Sequence, residues 1–228
     1  MEKNQYELCL EVLKRLNKAG VLSEVVLIGS WCVPFYKNYF SSVLYTTSIK
    51  TRDVDFLVPS PNKLTIHADI PALLKDLGFV VSFQGPQGFI KLEHPELVIE
   101  FLVPEKGRGA SRPVRLPRLG VNAVALRFLD FLAGHTIQVE VRDFKVSVPH
   151  PAQFALHKLI VSQRRTKADK AAKDLNAARE ILKALMAKGE SGVILKVFDS
   201  VPQAWQKKII KGLDAIEDRD VLRILQRE

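Results

Sequence analysis

Two acidic residues alternate with apolar residues near the end of the first quarter of the chain. The acids are Asp53 and Asp55, in the run Thr51-Arg-Asp-Val-Asp-Phe-Leu-Val-Pro59. On a β-strand alternate side chains share a face, so both carboxylates point one way while Val54 and Phe56 can pack the other way. Two like charges this close repel unless a cation lies between them, and hard oxygen ligands suit Mg²⁺. The run therefore predicts a strand that presents a metal-binding pair of carboxylates.

An upstream run, Val25-Val-Leu-Ile-Gly-Ser30, predicts a buried strand that ends in a Gly-Ser turn and opens a helix. Such a turn presents backbone N–H groups and a hydroxyl to phosphate. Gly29 would allow close backbone approach and Ser30 would donate a hydrogen bond, although the same dipeptide is also an ordinary helix N-cap. A phosphate-binding turn followed by a carboxylate pair is the minimum that metal-assisted phosphoryl or nucleotidyl transfer requires.

A third acid, Glu100, interrupts the apolar run Leu97-Val-Ile-Glu-Phe-Leu-Val103. An isolated carboxylate in a buried run is costly unless it is paired or coordinates a metal. Three acids, two from one strand and one from a neighbouring strand, can hold two metal ions roughly 3.5–4 Å apart. The structural alternative is that Asp53 pairs with Arg52 or Lys50 and that Glu100 caps an edge.

The order of these elements resembles that of the DNA polymerase β-like nucleotidyltransferase superfamily. Within it, a bacterial group distantly similar to abortive-infection-type toxins and to minimal nucleotidyltransferases shares further runs with this chain. The resemblance covers about residues 5–190, and it departs from the superfamily pattern between Ser30 and Asp53, where residues 41–50 look like an insertion. The shared runs are Pro117-Arg-Leu-Gly-Val, Leu129-Asp-Phe-Leu, Val148-Pro-His-Pro-Ala-Gln-Phe-Ala-Leu-His-Lys158 and Lys173-Asp174.

The resemblance implies an enzyme that moves NMP from an NTP to an acceptor hydroxyl. Asp53 and Asp55 would bind two Mg²⁺ ions, with Mn²⁺ as an alternative, and Glu100 would hold the catalytic ion and is a candidate to accept the proton. Basic residues on a helix are usually solvated, so the candidates in the C-terminal half also have a surface-exposed interpretation. The candidate nucleotide-binding residues are Gly29, Ser30, Lys158, Arg164, Arg165, Lys173 and Asp174.

The net charge of +9 and the pI of about 9.6 favour a polyanionic partner, because Lys and Arg surfaces gain from counterion release on nucleic acid. Many basic proteins nevertheless bind no nucleic acid. RNA, such as the 3′ end of a tRNA, is the first acceptor expected, a protein hydroxyl the second and a small molecule such as an aminoglycoside the third. An antitoxin protein is a further partner if the chain acts as a toxin.

Cysteine content and hydropathy point to a cytoplasmic protein. The cysteines, Cys9 and Cys32, form no CxxC motif, which argues against a zinc site and a disulfide framework. The N-terminal run Met-Glu-Lys-Asn-Gln-Tyr is polar and lacks a signal core. No stretch approaches the ~20 uncharged apolar residues that a membrane span needs, so no membrane partner is expected.

The predicted fold class is α/β (α+β). Residues 1–149 are expected to form a nucleotidyltransferase-like catalytic domain with a mixed sheet, and residues 150–228 an all-helical domain. Beyond Pro151 the chain lacks strand signals and is rich in Ala, Leu and Lys at helical spacing. The helices are predicted at 151–165, 167–188, 190–199 and 202–226.

The segment 104–132 carries two further predictions. Residues 104–120 are rich in Gly, Pro and basic side chains, which predicts a loop that is either solvated or a basic flap over the substrate. A helix is predicted near 121–132. The basic residues of the loop are Lys106, Arg108, Arg112, Arg115 and Arg118.

A function from another class remains open at this point. A non-catalytic nucleotide- or nucleic-acid-binding module could keep the same fold and act as a sensor or an antitoxin-like partner. Retention of all three acids, Asp53, Asp55 and Glu100, argues against it. A metal-dependent phosphohydrolase is a weaker third interpretation, because no His/Asp cluster supports it.

Overall fold

The computed structural model describes residues 3–45, 51–105, 107 and 112–227. Over these residues the chain divides into two compact units, one taking in residues 1–35 with 47–149 and the other residues 36–46 with 150–228. The second unit therefore includes a short segment from the N-terminal half of the chain. Among the described residues, none of the helices combines the length and apolar character that a membrane crossing requires.

The first unit combines short helices with a sheet, as predicted for a mixed α/β fold. Its helices are Lys3–Lys18 (α1), Cys32–Phe35 (α2), Ile70–Leu74 (α3) and Leu129–Ala133 (α4). Its strands are Val26–Ile28 (β1), Asp53–Leu57 (β2), Val80–Gln84 (β3), Phe89–Glu93 (β4), Val98–Pro104 (β5), Val114–Leu116 (β6), Val121–Leu126 (β7), Thr136–Val141 (β8) and Phe144–Pro149 (β9).

In the described part of the chain, seven strands form one mixed sheet with the order β1-β2-β5-β4-β3, and β7 pairs with β5 and β6. The β2–β5 and β5–β7 pairs are parallel. The other pairs within this sheet are antiparallel. Strands β8 and β9 form a separate antiparallel hairpin. The predicted mixed sheet is confirmed, and the strands that carry the acids are adjacent at its centre.

The central strand β2 has one apolar face and one face that changes from polar to apolar along its length. Val54 and Phe56 are buried, and the Phe56 ring stacks on Phe101 with centroids 5.6 Å apart. On the other face Asp53 is exposed, Asp55 is half-buried and Leu57 is buried. Burial of the far end of this face anchors β2 while its first residues stay accessible. Leu57 packs there in a cluster with Val26, Ile28, Leu102, Leu129 and Leu132.

The helix predicted near residues 121–132 is wrong over most of its length. Residues Val121–Leu126 form β7, in which Val121 and Ala123 are buried and alternate with half-buried neighbours. This period of two is that of a strand, and β7 pairs with β6 through its first three residues and with β5 through its last three. Only Leu129–Ala133 is helical.

The basic segment 104–120 is only partly a loop. Lys106 and Arg108 lie outside the described residues, so the flap interpretation is not addressed at those positions. Residues Val114–Leu116 form β6 and Pro117–Leu119 a 3₁₀ turn, which corrects the loop prediction there. The side chains of Arg112, Arg115 and Arg118 are exposed.

The second unit is helical, as predicted for the C-terminal half. The predicted helix 202–226 is two helices, because the chain turns at Glu217, where φ is +55°, and Asp218 then caps the next helix through a bond from the Val221 N–H. The helices are Pro151–Ser162 (α5), Ala168–Ala187 (α6), Ser191–Asp199 (α7), Gln203–Ala215 (α8) and Arg219–Gln226 (α9).

Candidate active site

The three predicted acids lie on one face of the sheet. Strand β2 runs parallel to β5, and the register pairs Asp55 with Glu100 and Asp53 with Val98. Alternation along β2 puts Asp53 on the same face as Asp55. Neighbouring strands are about 4.8 Å apart, so the carboxylates of Asp55 and Glu100 are within reach of one small cation.

The Gly-Ser turn lies directly against this face. Gly29–Trp31 forms a 3₁₀ turn after β1, and the last residue of β1, Ile28, pairs with Asp55. Gly29 has φ +73°, and a Cβ at this position would collide with Oδ2 of Asp55. Glycine adopts this backbone conformation without strain, and any larger residue would have to displace the Asp55 carboxylate. The long segment between Ser30 and Asp53 therefore does not keep the turn away from the carboxylates.

The approach of Gly29 to Asp55 is testable by substitution. We expect Gly29→Ala to lower transferase activity by roughly 10²-fold, because the added methyl group must displace the Asp55 carboxylate and small displacements of reacting groups are costly. The positive φ should add about 1–2 kcal/mol of backbone strain. Steady-state activity and urea unfolding would be measured on the same samples.

The matched control is Gly85→Ala in the β3–β4 turn. Gly85 also has a positive φ, +66°, but its Cβ would meet only Gln87 at an ordinary contact distance of 3.5 Å. This variant should lose similar stability and keep its activity. Equal activity losses in the two variants would show that strain, and not the contact with Asp55, is responsible.

The structural alternative for the acids finds little support. Among the described residues Arg52 forms no ion pair with Asp53 and donates a hydrogen bond to the carbonyl of His94 at 2.7 Å, and Lys50 lies outside those residues. The alternative in which Glu100 caps a sheet edge is wrong, because β5 lies between β2 and β4.

A residue that sequence reasoning missed, Lys91, contacts the acids. Strand β4 is antiparallel to β5 and pairs Leu92 with Ile99, so the same register brings Lys91 opposite Glu100. The Lys91 ammonium forms an ion pair with the Glu100 carboxylate, and the two side chains are 31% and 20% exposed. Burial lowers the pKa of Lys91, but the hydrogen bond to Glu100 and the negative charges of Glu100, Asp53 and Glu93 raise it above its ordinary value. Lys91 thus stays charged beside the acids.

The donor set suits a hard divalent cation, since it consists of carboxylates from adjacent strands on one accessible face. Within the part of the chain that the structure describes, no group of three His, Cys, Asp or Glu side chains is already arranged around a common metal position. The Glu100 carboxylate is instead engaged by Lys91. Asp53 and Asp55 therefore fit a cation by their shared face, and Glu100 can join them once its side chain leaves Lys91.

In the helical unit, three of the predicted nucleotide-binding residues form a charge cluster around one buried carboxylate. The Asp174 carboxylate on α6 accepts hydrogen bonds from Lys158 Nζ at 2.6 Å and from Arg165 Nε at 2.7 Å. The Lys158 and Asp174 side chains are only 9% and 6% exposed, whereas that of Arg165 is 41% exposed. Burial raises the pKa of Asp174, but the charges and hydrogen bonds of Lys158 and Arg165 outweigh it, so the pKa lies below its ordinary value. Arg164 and Lys173 are exposed.

His150 caps the start of α5, and His157 lies within the same helix. His150 accepts a hydrogen bond from the Ala152 N–H through Nδ1, and its Nε2 lies 2.9 Å from the Tyr39 hydroxyl. His157 is buried, and its Nε2 has no hydrogen-bond partner among the described residues. Burial and the neighbouring charge of Lys158 lower the pKa of His157 to about 3, so it is neutral at physiological pH.

Comparison with known proteins identifies the family of the chain. A family model described as nucleotidyltransferase matches residues 7–196. The chain therefore belongs to this nucleotidyltransferase family, and it is an enzyme of that class. No curated protein matches the sequence.

Two solved structures are similar in fold. The crystal structure of ANT(2″)-Ia in complex with adenylyl-2″-tobramycin has a TM-score of 0.51 and 13% identity, over 86% of this chain and 97% of that chain. The crystal structure of an antigenic nucleotidyltransferase-like protein from Paracoccidioides brasiliensis has a TM-score of 0.50 and 12% identity, over 99% of this chain and 94% of that chain. At these identities the likeness shows the fold alone.

Proposed function

We propose that this nucleotidyltransferase binds an NTP with divalent cations at Asp53, Asp55 and Glu100 and transfers NMP to a hydroxyl of RNA. The observation that carries the proposal is the pairing of β2 with its two neighbours. Asp55 lies opposite Glu100 on β5, and it also lies against the Gly29 turn that follows β1. A carboxylate group next to a phosphate-binding turn is what metal-assisted nucleotidyl transfer needs.

The three acids have two roles in this proposal. Asp53 and Asp55 hold the cations, which are Mg²⁺ with Mn²⁺ as an alternative, and Glu100 completes the ligand set and accepts the proton of the attacking hydroxyl. Divalent ions bound there would neutralise the triphosphate and activate the acceptor hydroxyl for in-line displacement of pyrophosphate from the α-phosphorus. Gly29 and Ser30 offer backbone and hydroxyl hydrogen bonds to phosphate.

The helical unit carries the other candidate nucleotide-binding residues. Arg164, Arg165 and Lys173 are exposed and can contact phosphates. Lys158 is buried, and its ammonium is bound to Asp174. We therefore propose that Lys158 and Asp174 act on the nucleotide mainly by fixing the position of Arg165, which shares the Asp174 carboxylate.

RNA is the preferred acceptor, with tRNA as the first example, because exposed basic side chains are concentrated in one segment of the helical unit. The segment 163–173, Gln-Arg-Arg-Thr-Lys-Ala-Asp-Lys-Ala-Ala-Lys, contains five basic residues and one acid, and all five basic side chains are exposed. Such a segment attracts a polyanion by counterion release. A protein hydroxyl is the second candidate. A small molecule is the third, and the complex of the similar ANT(2″)-Ia structure with adenylyl-2″-tobramycin makes an aminoglycoside the one to test.

The test is incubation of the protein with each α-³²P-labelled NTP, Mg²⁺ and total cellular RNA, beside an Asp53→Ala/Asp55→Ala double variant. We expect label to enter RNA and to be lost in the double variant. A parallel reaction replaces RNA with tobramycin. Label in protein or tobramycin alone would reassign the acceptor. Absence of transfer, with nucleotide binding that survives the double substitution, would instead support the non-catalytic binding module.

Three statements stay predictions from the sequence. They are the similarity to abortive-infection-type toxins, the antitoxin partner and the cytoplasmic location. Arrest of cell growth on expression of the wild-type chain, but not of the Asp53→Ala/Asp55→Ala variant, would support the toxin prediction.

A further inference from the structure

We propose that the Lys91 ammonium competes with the divalent cation for Glu100, so that this lysine sets the affinity of the site for metal. The inference rests on the proposed function, in which Glu100 is a metal ligand. It goes beyond that function because it assigns a role to Lys91, a residue on β4 that belongs to none of the motifs described above.

Glu100 has a different neighbour on each side of its strand. Across β2 it lies opposite Asp55, and across β4 it lies opposite Lys91. Both neighbours are one strand spacing away, about 4.8 Å, so the flexible Glu100 side chain can turn to either. In the structure it forms the ion pair with Lys91. Turning toward Asp55 would bring the carboxylate into the metal-binding set and break that ion pair.

The two positions of Glu100 exclude each other for electrostatic reasons. Without metal, the Lys91 ammonium offsets the repulsion among Asp53, Asp55 and Glu100, which favours the ion pair. A divalent cation bound by the same carboxylates would repel an ammonium held within a few ångströms. Metal binding through Glu100 must therefore displace Lys91, and the free energy of the lost ion pair subtracts from the affinity.

The experiment measures binding of Mn²⁺ alone to the full chain, without nucleotide, by electron paramagnetic resonance of free Mn²⁺. Lys91→Met removes the charge and keeps the length of the side chain. We expect it to tighten Mn²⁺ binding by about fivefold, the upper end for a partly exposed ion pair. Lys91→Arg keeps the charge and should bind Mn²⁺ as the wild type does.

Two controls separate competition for Glu100 from a general effect of charge. Lys145→Met removes an exposed lysine from β9 in the same unit and should leave Mn²⁺ binding unchanged. In a Glu100→Gln background, Lys91→Met should have little further effect, because the group for which lysine and metal compete is gone. Thermal unfolding of each variant would confirm that it is folded.

The outcomes distinguish this inference from the proposed function. If the wild type binds Mn²⁺ and Lys91→Met leaves the affinity unchanged or weakens it, the inference is wrong and the metal site stands. An equal gain in Lys145→Met, or an undiminished gain in the Glu100→Gln background, also overturns it. If neither the wild type nor Lys91→Met binds Mn²⁺, both the inference and the proposed metal site fail.

Discussion

Asp55→Asn is expected to lower nucleotidyl transfer by at least about 10³-fold, equivalent to about 4 kcal/mol of transition-state stabilisation. Asp55 lies opposite Ile28 on β1 and opposite Glu100 on β5, so it is the acid that lies between the Gly29 turn and Glu100. Asparagine has nearly the same shape and should preserve both pairings. It lacks the negative charge that a divalent cation needs, so the loss should lie in metal binding and chemistry.

The variant would be assayed for transfer from labelled NTP and for Mn²⁺ binding, with far-UV circular dichroism to verify the fold. The matched control is Asp143→Asn in the exposed turn between β8 and β9, which should keep wild-type activity. Retention of more than about one tenth of the activity by Asp55→Asn would be incompatible with Asp55 as a metal ligand, since such ligands contribute several kcal/mol.

The acids could be predicted from sequence because their signal is local. Alternation within a single run indicates that Asp53 and Asp55 share a face, and an acid in a buried run marks Glu100 as unusual. Their meeting depends on the parallel pairing of β2 with β5, which no local pattern specifies. Lys91 was missed for the same reason. Its contact with Glu100 exists only in the register of β4 on β5.

The misread helix at 121–132 illustrates a second limit of local patterns. Val121–Leu126 is a short apolar run, and a run of this length is compatible with a strand or with a turn and a half of helix. Tertiary pairing decides between them, since every residue of β7 is paired with either β5 or β6. The assignment of residues 36–46 to the helical unit likewise depends on contacts distant in sequence, such as that of Tyr39 with Glu190.

The helices of the C-terminal half could be located from sequence, but their charge cluster could not. The sequence marks Lys158 and Asp174 separately, as candidate nucleotide-binding residues in two different runs. Helical periodicity does not give the rotation of α5 relative to α6, and it is this rotation that buries Asp174 between Lys158 and Arg165. Lys173, the sequence neighbour of Asp174, is left exposed.

Asp174→Asn is expected to destabilise the protein by about 3 kcal/mol at pH 7, as measured by urea unfolding. The Lys158 side chain is 9% exposed, and the substitution leaves its ammonium buried without the anion. Glu180→Gln on the same helix is the matched control. Glu180 forms an exposed ion pair with Lys183 at 3.7 Å, and its loss should change the free energy of unfolding by less than about 0.5 kcal/mol. Similar small effects in both variants would show that the buried pair contributes little.

The difference in stability between the wild type and Asp174→Asn should depend on pH in a defined direction. The folded-state pKa of Asp174 lies below its ordinary value, so the folded protein binds the proton less readily than the unfolded chain does. The contribution of Asp174 is therefore fully present above the unfolded pKa of about 4, and it is lost as the pH falls through the lower folded value. The two unfolding free energies should converge in acid and run parallel from about pH 5 to 8. A difference that persisted undiminished below the folded pKa would mean that the substitution acts through packing, and not through the charge that holds Lys158 and Arg165.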